Sequence, residues 1–421
     1  MSGLSSIGLY LPRHQIARDD RAVAAANGDE DAFTMAVEAA HRCLEEVEPL
    51  TFGGLFFASV TSPYREAQLA SAIATACDLP RDIVTADFGG SPRAGLSALI
   101  SAVRAVDGGV RKVLVVAADC RLGGHGDGAV AAVVDSKASL CGFLATAAVA
   151  EDVTFQGAAE RVEDEAARSL RDLAEVVERV INEYGVGADQ LSALALGGSE
   201  EEGAVRLAEM VGIDPNAHLV SSHVAEVGAL GSPEALFQLA VALERAEQGD
   251  RIVVASNGEG AEAVLFEAMA GAGAGRPAVR AILDRQLPPS SPTDASVGPL
   301  VWDESFRAEP ADERSLQQTT RLYGTRCAAC HAVQFPQAAE CSACGTKDGL
   351  EPAKLRKCGH VTSVDPSTGA AMVELQDGGC LQVAITDTAS AAVSPGGEVR
   401  LTLRRNSPGA AARYTWKARL P

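Results

Sequence analysis

The segment TRCAACHAVQFPQAAECSACGTKDG carries the sharpest chemical signal in the chain. Cys327 and Cys330 form one C-x-x-C pair, and Cys341 and Cys344 form a second, with ten residues between the pairs. Such a turn is tight enough to aim two thiolates at one ion, and two turns close a tetrahedral shell of four sulfurs. Four thiolates leave no open coordination position, so the pattern predicts a structural Zn2+ ion. Two alternatives compete for these cysteines. The turns could be unrelated and exposed, or Cys327-Ala-Ala-Cys330-His331 could be a c-type haem attachment site. Haem attachment would require export and would leave the second pair without a purpose. His331 is read as a surface neighbour, not a fifth ligand.

Behind the cysteines come short segments of alternating polarity: HVTSVDPS, AAMVELQDG, CLQVAITD, EVRLTLRR and RYTWKARL. A period of two with Gly, Pro and Asp punctuation predicts a small all-β antiparallel barrel. Cysteine pairs followed by five strands resemble the zinc-ribbon plus OB-fold (DUF35-type) module found beside thiolase-like acyl-CoA enzymes, over residues 315–350 and 351–421. OB-folds often bind nucleic acid. A formal net charge of −20 and the lack of a basic-aromatic stripe exclude that partner here.

The elements that would hold chemistry lie further upstream. A chain of 421 residues exceeds what one core usually serves, so several domains are expected. The start, MSGLSSIGLYLPRH, has no basic stretch followed by an apolar run. The apolar stretches around Val113–Ala118 and Ile252–Ala255 are strand-length, well short of the ~20 residues that a membrane helix needs. A cytoplasmic protein without a membrane partner is expected, its ten cysteines thiols or metal ligands. From residue 1 to about 285, strands alternate with helical stretches, the pattern of an α/β layered domain. RAGLSALISAVRAVDGGVRKVLVVAAD reads as helix, turn and buried strand, and SPEALFQLAVALERAEQGDRIVVASN repeats that order. A glycine-rich turn and a further apolar strand, GDGAVAAVV and GEGAEAVLF, follow each copy, which implies internal duplication. Residues 157–184 predict an amphipathic helix with a solvated charged face, and residues 286–314 lack periodicity and read as a linker.

Several stretches together resemble the thiolase superfamily, most closely its 3-hydroxy-3-methylglutaryl-CoA synthase branch. IGLYLPRHQI is similar to that branch's first strand and Pro-Arg turn, and DEDAFTMAVEAAHRCL to its first helix. ADFGGSPRAGLSAL stands at the nucleophile turn, and GDRIVVASNGEGAEAVLF at the closing hairpin. The resemblance implies a duplicated five-layer α-β-α-β-α domain over residues 1–285, with the active site between its halves. It also implies a coenzyme A thioester as substrate, and a homodimer or a heteromer with another thiolase-like subunit.

The reacting groups depart from the pattern. A family cysteine at the start of a buried helix, activated by the helix N-terminus, would fall at Pro92, which has neither a nucleophile nor an amide hydrogen. The family histidine would fall at Gly197 or Gly198, the asparagine at Ala229 and the general-acid glutamate near Val60. Removal of oxyanion donors typically costs ~10²–10³ in rate. An ordinary acyl-enzyme mechanism is not expected.

Replacement groups must lie in the same cleft. His223 and Glu226 could act as a base pair, or His223 could be a hydrogen-bonded residue near a strand end. Ser91 would need a base to become a nucleophile. Tyr64 could serve as a phenolic acid or satisfy a buried carbonyl. His125 and Asp127 lie in a glycine-rich loop, as function or as a solvated turn. Cys120 could be a displaced nucleophile or a small buried hydrophobe, and Cys43 and Cys77 would only pack. Arg93 could hold a CoA phosphate or a substrate carboxylate, or act as a fork joining the two halves. The expected functions are Cys-independent aldolase-type carbon–carbon cleavage of a 3-hydroxyacyl-CoA, a non-catalytic acyl-CoA-binding scaffold subunit, or acyl transfer by a displaced nucleophile.

Overall fold

The computed structural model describes the chain outside residues 19–20, 46, 65–66, 122–124, 151–161, 199–200, 273–278, 288–319, 389–391 and 407–413. It divides into two compact units, Met1–Glu304 and Ser305–Pro421. Most of the expected linker, 288–314, lies outside the described residues.

The first half of unit 1 runs β1 (Gly3–Tyr10), β2 (His14–Arg18), β3 (Arg21–Ala25), α1 (Ala32–Cys43), β4 (Phe52–Ala58), α2 (Leu69–Ala76) and β5 (Val84–Phe88). It continues with α3 (Ala94–Asp107), β6 (Lys112–Asp119) and β7 (Gly128–Asp135). The second half comprises β8 (Cys141–Ala150), α4 (Val162–Tyr184), β9 (Ala193–Gly197), α5 (Glu201–Met210), α6 (Pro215–His218) and α7 (Val224–Val227). It ends with α8 (Glu234–Arg245), β10 (Arg251–Asn257), β11 (Gly260–Ala268) and α9 (Val279–Leu283). Nine strands form one sheet in the order β5-β4-β6-β7-β1-β8-β11-β10-β9. The duplication is visible in it. In each half a parallel pair (β4–β6, β9–β10) is followed by two antiparallel partners, and the halves meet through the short β1–β8 pairing of Gly3 with Gly142 and Leu4 with Cys141. In the second half the counterpart of β5 is reduced to one parallel bridge between Leu219 and Leu194 of β9.

Helices complete the layers. The outer α1 packs on β1, β6 and β7, while α3 and α8 meet between the half-sheets and α4 covers the far face on β8, β10 and β11. The local sequence explains why each forms. In α1, Asp31 accepts from the Thr34 amide while Thr34 Oγ1 accepts from the Asp31 amide, both at 2.9 Å, which closes the first turn. Residues 113–119 of β6 are all buried, as an apolar run covered on both faces must be. The apolar stripe of α4, from Leu173 to Ile181, packs into a second core with β9, β10 and β11. Alanine-rich α3 and α8 allow close approach. A Cβ on Gly95 would overlap the Ser232 carbonyl oxygen, so α3 crosses the segment before α8 at backbone contact.

Unit 2 holds a three-stranded sheet of β12 (Tyr323–Cys327), β13 (Val333–Gln334) and β14 (Leu350–Lys354). Beyond it, β15 (Cys358–Val364), β16 (Ala370–Leu375), β17 (Cys380–Ala384), β18 (Glu398–Arg405) and β19 (Tyr414–Arg419) form an antiparallel sheet ordered β17-β16-β15-β18-β19. A bridge between Ile385 and Ala418 draws its edges together, so the barrel nearly closes. These are the five strands read from the alternating segments.

Candidate active site and metal centre

The halves of unit 1 meet at the start of α3, the ends of β4, β6 and β9, and the turns beside α8 and β10. At the start of α3, Pro92 precedes Arg93 and the helix begins at Ala94. The Ser91 hydroxyl is buried without a partner among the described residues and abuts Gly258. Arg93 does not stand free. Its Nη1 lies 3.4 Å from the Val149 carbonyl oxygen and 3.8 Å from Glu262 Oε1, while Ser97 donates to Glu262 Oε2 at 2.7 Å. This is the fork between the halves that the sequence left open beside the anion-binding role.

Where the resemblance puts a histidine, Gly197 and Gly198 end β9, with residues 199–200 outside the described set. A Cβ on Gly197 would sit 2.8 Å from the Ala235 amide nitrogen, so the strand end lies directly against α8. Glu234, 3% exposed, faces this point. Burial pushes its carboxyl up, against the pull of backbone amides from Gly198, Leu230 and Gly231. Asn257, at the end of β10, donates through Nδ2 to Ser169 Oγ, and its Oδ1 is buried without a partner among the described residues.

Asp119, wholly buried at the end of β6, ties three segments together. Oδ1 accepts from Ser59 Oγ (2.9 Å), the Val60 amide (2.8 Å), the Thr61 amide (3.0 Å) and Thr61 Oγ1 (2.9 Å). Oδ2 accepts from the Ser232 amide (2.7 Å) and Ser232 Oγ (2.8 Å). Burial nevertheless raises its pKa, with the Ser232, Thr61 and Ser59 hydrogen bonds opposing. Val60, near which a general acid would stand in the family, thus contributes an amide to this knot. Cys120 is buried beside it. Burial and the charges of Asp127, Asp31, Glu30 and Asp119 push its thiol far up, which makes it an inert packing group and not a nucleophile.

Asp127 is likewise no solvated turn residue. It is 4% exposed and accepts from the Ala26 amide at 2.7 Å and from the Arg121 amide, and burial raises its pKa to about 7. His125 is exposed, and partial desolvation and then Arg121 lower its pKa. Tyr64 is buried at 8% exposure, and its carbonyl oxygen accepts from Ser62.

The structure forms the His223–Glu226 pair. Nδ1 of His223 lies 2.7 Å from Glu226 Oε2, and Arg280 holds Glu226 Oε1 at 2.8 Å. The hydrogen bond from His223, followed by that from Arg280, keeps the Glu226 carboxyl below its ordinary range. The imidazole meets Phe237 edge-on, with ring centres 6.0 Å apart. A cleft of ≈ 620 Å³ opens beside this pair, lined by Arg21, by Glu201, Glu202 and Arg206 of α5, and by Ser222 and Val224 on either side of His223. The structure therefore gathers the sequence candidates into two places. Ser91 and Arg93 stand at the start of α3, and His223 and Glu226 flank the Ser222, Val224 and Ala225 lining of the cleft.

In unit 2 the four cysteine sulfurs all lie within 4.8 Å of one another. Cys330 and Cys341 are 3.5 Å apart, and Cys327 and Cys344 are 3.8 Å apart. A tetrahedron with metal–sulfur bonds of ~2.3 Å has sulfurs ~3.8 Å apart, so the set fits a four-thiolate ion. Each knuckle closes in the same way. The His331 amide donates to Cys327 and the Gly345 amide to Cys341, both at 2.8 Å, and both donors have positive φ. His331 is thus a turn residue and stands outside the sulfur cluster.

Sequence reasoning missed Asp119, Glu234 and Asn257. The available signals were an acid ending a wholly apolar strand and an acid opening a nearly apolar helix.

No family model matches the chain. It is 24% identical over 311 residues to the hydroxymethylglutaryl-CoA synthase of Methanopyrus kandleri, covering 63% of this chain and 86% of that protein. The synthase of Thermococcus sibiricus is 31% identical over 140 residues, 30% of this chain and 40% of that protein. Among solved structures, an HMG-CoA synthase complexed with CoA superposes with a TM-score of 0.61 at 16% identity, covering 69% of this chain and 88% of that one. The 3-oxoacyl-(acyl carrier protein) synthase III of Pseudomonas aeruginosa gives 0.57 at 18% identity, over 64% and 98%. The chain accordingly has a thiolase-like fold and is homologous to hydroxymethylglutaryl-CoA synthases over about 63% of its length.

Proposed function

We propose that the protein acts on acyl-CoA thioesters without forming an acyl-enzyme, as an aldolase-type lyase of 3-hydroxyacyl-CoA. One observation carries this. A thiolase-like fold starts α3 with Pro92 where a nucleophile would stand, yet a His223–Glu226 pair lies among residues, Ser222, Val224 and Ala225, that line a cleft of ≈ 620 Å³. With Glu226 anionic and accepting at Nδ1, the neutral imidazole keeps Nε2 as a proton acceptor. It takes the proton of the substrate 3-hydroxyl, the C2–C3 bond breaks, and C3 leaves as an aldehyde or ketone. The electron pair passes to C2 as a thioester enolate, which regains the proton to give the shortened acyl-CoA. The reverse sequence is aldol addition. Arg21 and Arg206 on the cleft wall supply cations for the CoA phosphates. The CoA bound to a structurally similar HMG-CoA synthase supports that class of ligand. The four cysteines hold zinc as a structural ion, and residues 286–314 link the catalytic unit to the zinc-ribbon and OB-fold module. A homodimer, or a heteromer with another thiolase-like subunit, is the proposed assembly, in the cytoplasm.

A second reading, a non-catalytic acyl-CoA-binding subunit, draws on the Arg280 and Phe237 contacts that engage the His223–Glu226 pair. One experiment separates the readings. Zinc-loaded protein is mixed with acyl- and 3-hydroxyacyl-CoA thioesters, and both the protein mass and the small molecules are followed by mass spectrometry. Cleavage to a shorter acyl-CoA with unchanged protein mass, slowed about 10²–10⁴-fold by His223→Gln, supports the lyase. A mass adduct lost in Ser91→Ala would identify acyl transfer instead. Binding with neither product nor adduct would establish the subunit role.

A further inference from the structure

The two cysteine knuckles of unit 2 are anchored differently. Cys327 is the last residue of β12 and pairs with Leu350 of β14, so the first knuckle grows out of a sheet. Cys341 and Cys344 lie in a turn whose backbone bonds are its own, from the Cys341 amide to Thr346 and from the Gly345 amide to Cys341. Apart from the sulfur contacts, the hydrogen bonds that join residues 340–345 to the β12–β13 hairpin come, among the described residues, from one side chain. Gln334 Oε1 accepts from the Ser342 amide at 2.8 Å and from Ser342 Oγ at 3.1 Å, and its Nε2 donates to the Glu340 carbonyl oxygen at 3.0 Å. The side-chain amide thus grips the chain on both sides of Cys341, as a neighbouring strand would, and it needs both a donor and an acceptor to do so.

Gln334 stands on a fixed base. In β13 it pairs with Thr325 of β12, and a Cβ on Gly324 would sit 2.5 Å from its carbonyl oxygen. The residues before and after it meet the barrel. A Cβ on Gly378 would sit 3.1 Å from the Val333 carbonyl oxygen, and one on Gly379 would sit 2.8 Å from the Phe335 amide nitrogen, so the β16–β17 turn lies against β13. The three side-chain bonds themselves are exposed to solvent, so their loss strands no buried group and costs the fold little. Their effect is on geometry.

We infer that Gln334 is a positioning residue of the metal centre. It holds Cys341 where its sulfur and that of Cys330, 3.5 Å apart, reach one ion, and it does not touch the ion itself. Ligands held in place before an ion arrives lose less freedom when it binds, and outer-shell partners of this kind typically account for about 10–100-fold in metal affinity. The inference rests on the structural-zinc reading above and adds the residue that organises the second knuckle.

The test is titration of the full, metal-free chain with Zn2+ against a competing chelator, with Co2+ as an optical probe of the ligand set. Gln334→Met keeps the length of the side chain and removes the amide. It should bind zinc about 10–100-fold more weakly, while the thiolate-to-cobalt absorption of four sulfurs is retained and the circular dichroism of the metal-free chain is unchanged. Gln337→Ala is the control, because Gln337 Nε2 donates to the Gly324 carbonyl oxygen from the same segment and leaves residues 340–342 alone. It should bind zinc as the wild type does. Wild-type affinity in Gln334→Met overturns the inference and leaves the zinc reading standing. Equal weakening in the two variants assigns the effect to the segment as a whole and overturns the inference as well. A wild-type chain that binds neither Zn2+ nor Co2+ overturns both.

Discussion

The Asp119 knot makes a prediction about the difference between two substitutions. In Asp119→Ala all six donors lose their acceptor, but they do not all become orphans. The Ser232 hydroxyl can keep the Ala58 carbonyl oxygen, 3.3 Å away, and the Thr61 amide can keep Ser59 Oγ at 3.1 Å. The hydroxyls of Ser59 and Thr61 can rotate to another acceptor, whereas the amides of Val60 and Ser232 are fixed and have no such alternative. At about 1–3 kcal/mol for each buried donor left unmade, Asp119→Ala costs roughly 2–6 kcal/mol, before any cavity is counted. In Asp119→Asn the amide oxygen replaces Oδ1 and keeps Val60 and Thr61, and the Ser232 hydroxyl turns to accept from the new NH2. Only the Ser232 amide is stranded, for roughly 1–3 kcal/mol. Both variants remove a carboxylate whose burial raises its pKa, so relief of desolvation offsets each of them equally. The difference is free of that offset. Asp119→Ala should be less stable than Asp119→Asn by about 1–3 kcal/mol in urea denaturation followed by circular dichroism. Hydrogen exchange should locate it, with faster exchange at Ser232 alone in the asparagine variant and at Val60 and Ser232 in the alanine variant. Equal midpoints with equal slopes, or protection retained at Val60 in Asp119→Ala, would refute the accounting.

Two further perturbations follow from the same structure. Asp127 has a folded pKa of about 7 against an ordinary 3.8, so the folded state holds a proton that the unfolded chain has released. Its contribution is full below the unfolded pKa and is lost as pH rises toward 7, a change of order 4 kcal/mol at ~1.36 kcal/mol per unit. Denaturation midpoints at pH 5 and pH 8 should show most of this loss in the wild type and a flatter profile in Asp127→Asn. In unit 2, elemental analysis should find about one zinc per chain in the wild type and almost none in Cys341→Ser, because three remaining thiolates no longer close the shell. Limited proteolysis should then cut residues 320–355 first.

The element order was legible because the apolar runs have unmistakable lengths. KVLVVAAD is too short and too uniformly apolar for anything but a buried strand, and it repeats as RIVVASN at the matching point of the second half. The four cysteines were legible for a different reason: local spacing alone brings them together. Glu234 was not legible. An acid in the first turn of a helix reads as a solvated partner of the helix dipole, and only the approach of the β9 glycines encloses it. Asn257 looked like an ordinary strand end for the same reason, since Gly198 comes from far away in sequence. Arg93 showed the limit most clearly. Its charge permitted an anion-binding role, whereas contacts with Val149 and Glu262 across the halves engage the guanidinium. The shortening of the β5 counterpart to a single bridge at Leu219 left no sequence trace either.

The backbone contact of Gly95 with Ser232 separates architecture from chemistry. It sets the spacing of the two halves with main-chain atoms alone, below the layer where reacting side chains stand. Substitutions at positions 91, 92, 198 or 229 can therefore exchange one set of reactive groups for another without resetting that spacing. A lineage with such a frame can change its polar side chains one at a time and keep the spacing of its halves, so architecture and chemistry vary independently.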